Sequence, residues 1–126
     1  MLLDIIKAKL TSAGVIDGTT WRCFIGFAPD TQDQLISLHA TGGYPQDTHA
    51  GDVNRETFQL RVRTGEMAYT DCETKWRAAF NALHDADLSA SDIYQIQAES
   101  AGPLEYYDEN GRVNMTVNFR VTRAKP

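Results

Sequence analysis

The residues able to act as ligands, bases or nucleophiles are few in this chain, and their spacing keeps them apart. The three histidines are His39, His49 and His84; the two cysteines are Cys23 and Cys72. No two of them share the close spacing that places metal ligands on one element. His49 lies between Asp47 and Asp52, which are cation-ligand types, but in a polar stretch with no scaffold to hold them; they read as solvated loop residues. His84 ends an amphipathic segment, where a cation would compensate the helix dipole. Neither cysteine neighbours a histidine, no Gly-x-Ser-x-Gly elbow occurs, and Gly42-Gly43 lacks the downstream lysine and hydroxyl of a phosphate loop. Asp108-Glu109 offers paired carboxylates, yet beside Asn110-Gly111 the pair reads as a turn. No catalytic residue, metal or cofactor is expected.

Periodicity supplies the elements that must position whatever function remains. Leu2, Leu3, Ile6 and Leu10 recur at helical spacing and Gly14 stops the pattern. Residues 21–27 (WRCFIGF) and 34–40 (QLISLHA) read as strands, joined by turn formers into a hairpin. Residues 41–56 lose the apolar pattern and are expected to form a long loop. Residues 57–63 (TFQLRVR) alternate cleanly. Cys72, Trp76, Ala79, Phe80 and Leu83 then form one helical stripe, with Thr70 and Glu73 matching a capping box. Residues 91–100 and 104–107 read as a strand kinked at Gly102-Pro103; the last strand alternates from Val113 to Thr122. The implied fold is α+β: one domain over 1–126, a two-layer sandwich with a mainly antiparallel sheet covered on one face by two helices.

Composition narrows the class further. The chain has 126 residues, 42% hydrophobic and 23% charged, enough for one packed core. A net charge of −5 argues against general binding to nucleic acid or a membrane surface. The opening MLLDIIKAKL is broken by Asp4, Lys7 and Lys9, so it is neither a signal core nor a span, and a cytoplasmic site of synthesis is expected. The cysteines sit in apolar patterns and read as reduced core residues.

What remains is surface. Gln59, Arg61 and Arg63 form one outward polar row, and Asn114, Thr116, Asn118 and Arg120 another. Amide-rich rows beside arginines suit a wet protein–protein interface, and asparagine is a poor strand former.

In order and spacing, PDTQDQLISLHATGGYP, FQLRVR, the helix ending in Leu-His, and DENGRVNMTVNFRV resemble the minor capsid or tail-terminator family of tailed bacteriophages. The resemblance spans roughly residues 1–122 and rests on Pro29-Asp30, Gly42-Gly43-Tyr44-Pro45, Gln59-Arg61-Arg63, Asp108 through Arg112, and Asn118-Phe119. It implies an α/β sandwich and a structural virion protein of the tail or neck, assembled in the host cytoplasm. It further implies a ring, commonly a hexamer, that caps the tail tube, stops its polymerisation and joins tail to head. The implied partners are other copies of itself, the tail tube protein and a head completion or connector protein, with DNA passing through the bore unbound and no membrane involved. A head-side stopper or adaptor, or a non-viral α+β binding module, are the alternative readings. A ring closes through a heterologous interface, for which Gln59, Arg61, Arg63, Arg120, Asn114, Asn118 and Tyr44 are the candidates, facing Asp47, Asp52, Asp108 and Glu109 of a neighbour.

Overall fold

The computed structural model describes residues 2–44 and 53–124. These run α1 (Leu2–Ser12), β1 (Cys23–Ile25), β2 (Leu35–Tyr44), β3 (Val53–Thr64), α2 (Tyr69–Leu83), a single 3-10 turn (Ser89–Ser91), β4 (Ile93–Ala98), β5 (Leu104–Tyr107) and β6 (Val113–Ala124). The strands form one sheet in the order β1-β2-β3-β6-β4, with β5 on the same edge of β6 as β4. β4 takes the stretch of β6 around Phe119 to Arg123, and β5 takes Val113 to Thr116. The predicted two-layer α+β architecture is the one observed.

The sheet is organised by β3 and β6, which pair antiparallel from Val53↔Ala124 to Thr64↔Val113 without a register break. Side chains alternate across a strand, so this register sets Phe58, Leu60 and Val62 opposite Phe119, Val117 and Met115 on one face. All six are fully buried. Phe58 and Phe119 stack across the strands at 5.2 Å, and Phe80 of α2 reaches Phe119 at 6.4 Å. The predicted stripe of α2 is the stripe that packs: Cys72, Trp76, Ala79 and Leu83 are buried. Leu2, Ile6 and Leu10 of α1 join the same core. α1 ends as Gly14 implied, at φ 78° with Val15 N–H donating to Leu10 O and Gly14 N–H to Thr11 O; this reciprocal closure needs a left-handed residue, which glycine adopts without strain.

Three expectations are corrected. The capping box is absent: α2 begins at Tyr69, so Thr70 is already inside the helix, and the cap residue Ala68 makes no side-chain bond. The loop of 41–56 is shorter than its polarity implied, because β2 continues to Tyr44 and β3 begins at Val53. No described residue of this extension is fully buried, so apolar alternation is lost while backbone pairing continues, past a bulge between Ala40 and Gly42.

The third correction concerns β1. It is only three residues long and pairs parallel to β2, with Cys23 beside Ile36 and Ile25 beside Leu38. The turn-rich stretch between them is therefore a crossover and not a hairpin. Two guanidinium groups distant in sequence hold it, one from β3 and one from the residue just before β6. Arg63 donates from Nε to Asp33 O at 3.3 Å, from Nη2 to Gln32 O at 2.7 Å, and from Nη2 to Pro29 O. Arg112 donates from Nε to the Asp33 carboxylate at 2.9 Å and from Nη2 to Asp30 O at 2.7 Å. Carbonyls that a hairpin would have paired internally are satisfied by these five-donor forks.

Removing a buried cation whose partners stay buried is strongly destabilising. Arg63→Ala is expected to lower the unfolding free energy by about 3 kcal/mol, measured by urea denaturation. Arg63→Lys should recover little of the loss, because an ammonium cannot reproduce the planar fork.

Candidate assembly surfaces

The unbroken β3–β6 register places Gln59 opposite Asn118, Arg61 opposite Thr116, Arg63 opposite Asn114 and Thr57 opposite Arg120 on the face away from the helices. The two polar rows predicted from the sequence do share one face, but they are not uniformly exposed. Arg63, Asn114 and Thr116 are buried. The crossover covers Arg63, Asn114 donates to Arg112 O at 3.2 Å, and Thr116 donates to Leu104 O at 3.4 Å. Arg63 and Asn114 are therefore structural, a correction to their reading as outward-facing residues. Gln59 and Asn118 are half-buried and meet at 3.5 Å, and Arg120 is exposed, touching Gln97 at 3.3 Å.

Arg61 is the unusual member of this face. Its Nε is buried without a hydrogen-bond partner among the described residues, while its guanidinium lies 5.9 Å from the Tyr106 ring centroid. An orphaned cationic donor is costly unless an acceptor completes it. Nearby, His39 is bonded to Ser37 Oγ at 2.9 Å; burial first, then the Arg61 charge, lowers its pKa, which favours the neutral ring. Strand alternation gives this face Phe24 from β1, Leu104 and Tyr106 from β5, and Gln95 and Gln97 from β4. Among the described strand positions of this face none is acidic, in a chain with 17 aspartates and glutamates.

The acids gather at one end instead. Where β3, β5 and the start of β6 finish beside the crossover, Asp30, Asp33, Glu66, Glu105, Asp108 and Glu109 come together. The turn of 108–111 forms as the sequence implied, with Gly111 N–H donating to Asp108 O at 3.0 Å and Gly111 alone at positive φ, 75°; this is a three-residue hairpin loop closed by a left-handed glycine. Asp108 is spent on the turn: its carboxylate accepts from Asn110 N–H at 2.9 Å and Arg112 N–H at 3.0 Å. Desolvation raises its pKa, but those backbone donors outweigh it and the net direction is down. Glu109 is exposed and free to meet a partner. Glu105 accepts from Tyr69 Oη at 2.6 Å, a bond that pushes the phenol up to about 12.

Of the remaining candidates, Tyr44 closes β2 with its backbone opposite Arg55. Asp47 and Asp52, and His49 with them, lie outside the described residues. His84 is the C-cap residue of α2, its backbone N–H donating to Phe80 O at 2.8 Å, and its Nδ1 accepts from Ala98 N–H at 3.0 Å. Among the described residues no cluster of three His, Cys, Asp or Glu side chains could hold a metal, and no helix is long and apolar enough to cross a membrane. Sequence reasoning missed Arg112, whose carboxylate partner Asp33 is 79 positions away, and missed Tyr106, since nothing local announces which strand lies beside Arg61.

A family model described as bacteriophage tail terminator protein matches residues 7–125. The chain belongs to that family. It is accordingly a structural component of a phage virion. The fold recurs in a chain of the virion of a native gene transfer agent particle, with a TM-score of 0.66 and 13% identity, covering 95% of this chain and 92% of that one. No curated protein sequence matches it. The tail-terminator resemblance read from the residues is thus the family assignment.

A carboxylate whose pKa is depressed on folding stabilises above its unfolded pKa, and that contribution is lost as pH falls through the folded value. Asp17, held down by the Trp21 and Thr19 amides, Asp87, held down by Ser89, and Asp108 all shift downward from 3.8. Urea midpoints are therefore expected to drop as pH falls below about 4, with a shallower drop in Asp17→Asn.

Proposed function

We propose that copies of this chain close into a ring, a hexamer, on the head-proximal end of the tail tube. The ring stops tube polymerisation and presents the joint to a head completion or connector protein, while DNA passes through the bore without specific binding. Family membership supports this role. The observation that carries the ring is the segregation of charge. The helix-free face bears Arg61 and Arg120 with no acid on its described strand positions, while Asp30, Glu66 and Glu109 stand at one end of the sheet. A closing interface of the heterologous kind needs two such unlike, complementary patches on each subunit. In the ring a carboxylate of the neighbouring subunit reaches Arg61 and completes its unpaired Nε, and Gln59 and Asn118 supply the surrounding polar contacts.

The deciding experiment is the tail-length distribution, by electron microscopy, of particles assembled without this protein. Overlong, polydisperse tails without heads are expected. Tails of normal length that fail to join heads would instead make the chain a head-side connector.

Charge reversal tests the interface separately. The Arg61→Glu, Arg120→Glu chain is expected to keep the fold by circular dichroism and to weaken self-association by about a hundredfold, on the scale of 2–5 kcal/mol for a broken interfacial charge pair. Analytical ultracentrifugation reads this, and unchanged association would remove the helix-free face from the interface.

A further inference from the structure

A sheet strand at an edge carries unpaired N–H and C=O groups that template pairing with another chain, and proteins normally blunt such edges. Three of the edges here are blunted in distinct ways. β1 is three residues long. The part of β2 beyond β1 is bulged at Ala40/Gly42 and runs into Gly42 and Gly43 at φ 93° and 124°, outside strand geometry. The outer side of β4 is capped, because Ile96 O accepts from Asp85 N–H at 2.9 Å and Ala98 N–H donates to His84 Nδ1 at 3.0 Å.

β5 is also short, at four residues, and carries the charge of Glu105, but it has neither a bulge nor a cap on its outward side. Its sequence Leu104-Glu105-Tyr106-Tyr107 is regular, exposed at every position, and free of lysine, bulge and proline within the strand. Leu104 and Tyr107 are 61% and 65% exposed, large values for apolar and aromatic strand residues. The outward groups can be identified. Asp108 N–H donates to Arg112 O, which makes 108/112 a hydrogen-bonded pair. Bonded and non-bonded pairs alternate in an antiparallel ladder, so Tyr106 and Leu104 point their backbone groups at β6 while those of Glu105 and Tyr107 point away. Among the described residues no strand pairs with that side.

Charge selects the occupant. Glu105 is centred on this edge and Glu73 of α2 lies near it beside Tyr69, while the cation of Arg77 is held by Ala101 O ahead of the strand. A second copy adding its own β5 would bring the same two acids against them, which is unfavourable. A cationic strand would gain where the copy loses. We propose that β5 is a strand-addition site for an extended, lysine- or arginine-bearing segment of another protein, which continues the sheet through the backbone groups of Glu105 and Tyr107. Its cationic side chains meet Glu105 on the helix side and its apolar ones pack on Leu104 and Tyr106. The recognition mode is backbone pairing for affinity and alternate side chains for selection. This docking does not depend on the ring.

The test uses the full chain with synthetic end-blocked peptides as probes: alternating valine and lysine, the same peptide with glutamate for lysine, and the lysine peptide N-methylated on alternate amides. Amide hydrogen exchange by NMR is the readout. The lysine peptide is expected to slow exchange at Glu105 and Tyr107 by about tenfold or more, with the glutamate and N-methylated peptides without effect. Tyr107→Pro removes an outward donor, the one place a strand tolerates proline, and should abolish the protection while amides of β3 and β6 exchange as before. Glu105→Lys keeps the backbone intact and should switch the preference to the glutamate peptide. Unaltered exchange at both residues with the lysine peptide would overturn the proposal, as would equal protection by both charged peptides. Protection that grows with protein concentration alone would replace the partner segment by a second copy.

Discussion

Everything in this domain hangs on the long antiparallel pairing of β3 with β6. Both strands are 12 residues long and stay in register throughout. Because successive side chains alternate between faces, a slip of one residue would turn Phe58, Leu60, Val117 and Phe119 to the outside and bury Gln59 and Asn118 under the helices. The register is therefore enforced by the core, and in turn it fixes every polar position on the other face. α1 and α2 cover the apolar side only, which leaves a sheet surface whose chemistry the core has already decided.

That surface is not merely left over. At one end the β3–β6 pairing brings Arg63 and Arg112 close together, and both point into the crossover between β1 and β2. Burial and the charge of Arg112 both lower the pKa of Arg63, and Asp108 and Asp30 partly offset them. Two cations can share this place because the crossover presents carbonyls and carboxylates to both. The outcome is a parallel pair joined by a connection shorter than a helical crossover, stapled from the side. Further along the same face Arg61 lacks such acceptors, which separates it chemically from its neighbour two positions on. One arginine of the row completes the fold, and the Nε of the other has no acceptor among the described residues.

The distribution of acids follows the same division. A chain with a net charge of −5 keeps carboxylates off the described strand positions of its helix-free face and places a group of them at one end of the sheet. Such separation gives a small structural protein distinguishable surfaces. It also makes docking directional, since like-charged patches repel in the wrong orientation. Membership of the tail terminator family places these surfaces in a virion.

Much of the fold was legible before any coordinates. Period-two alternation in 57–63 and 113–122 and the helical stripe from Cys72 to Leu83 depend on which face is buried, so the burial pattern is written into residue order. The order and spacing of weak motifs also sufficed for the family. Long-range geometry was not legible. Turn formers at 29–33 said that the chain bends there, but not that Arg63 and Arg112 would hold it as a crossover, because neither is a sequence neighbour. The extended ends of β2 and β3 carry no alternating apolar signal, since none of their described residues is fully buried and the ladder is held by backbone bonds common to all residues. Alternation could say that Arg61 and Arg63 share a face, and only the tertiary structure could decide which of them is buried: burial on that face depends on what the remote chain lays across it. The sequence alone determined the faces of each element and the family; the packing of distant segments decided which polar groups are satisfied within the chain and which stay open to others.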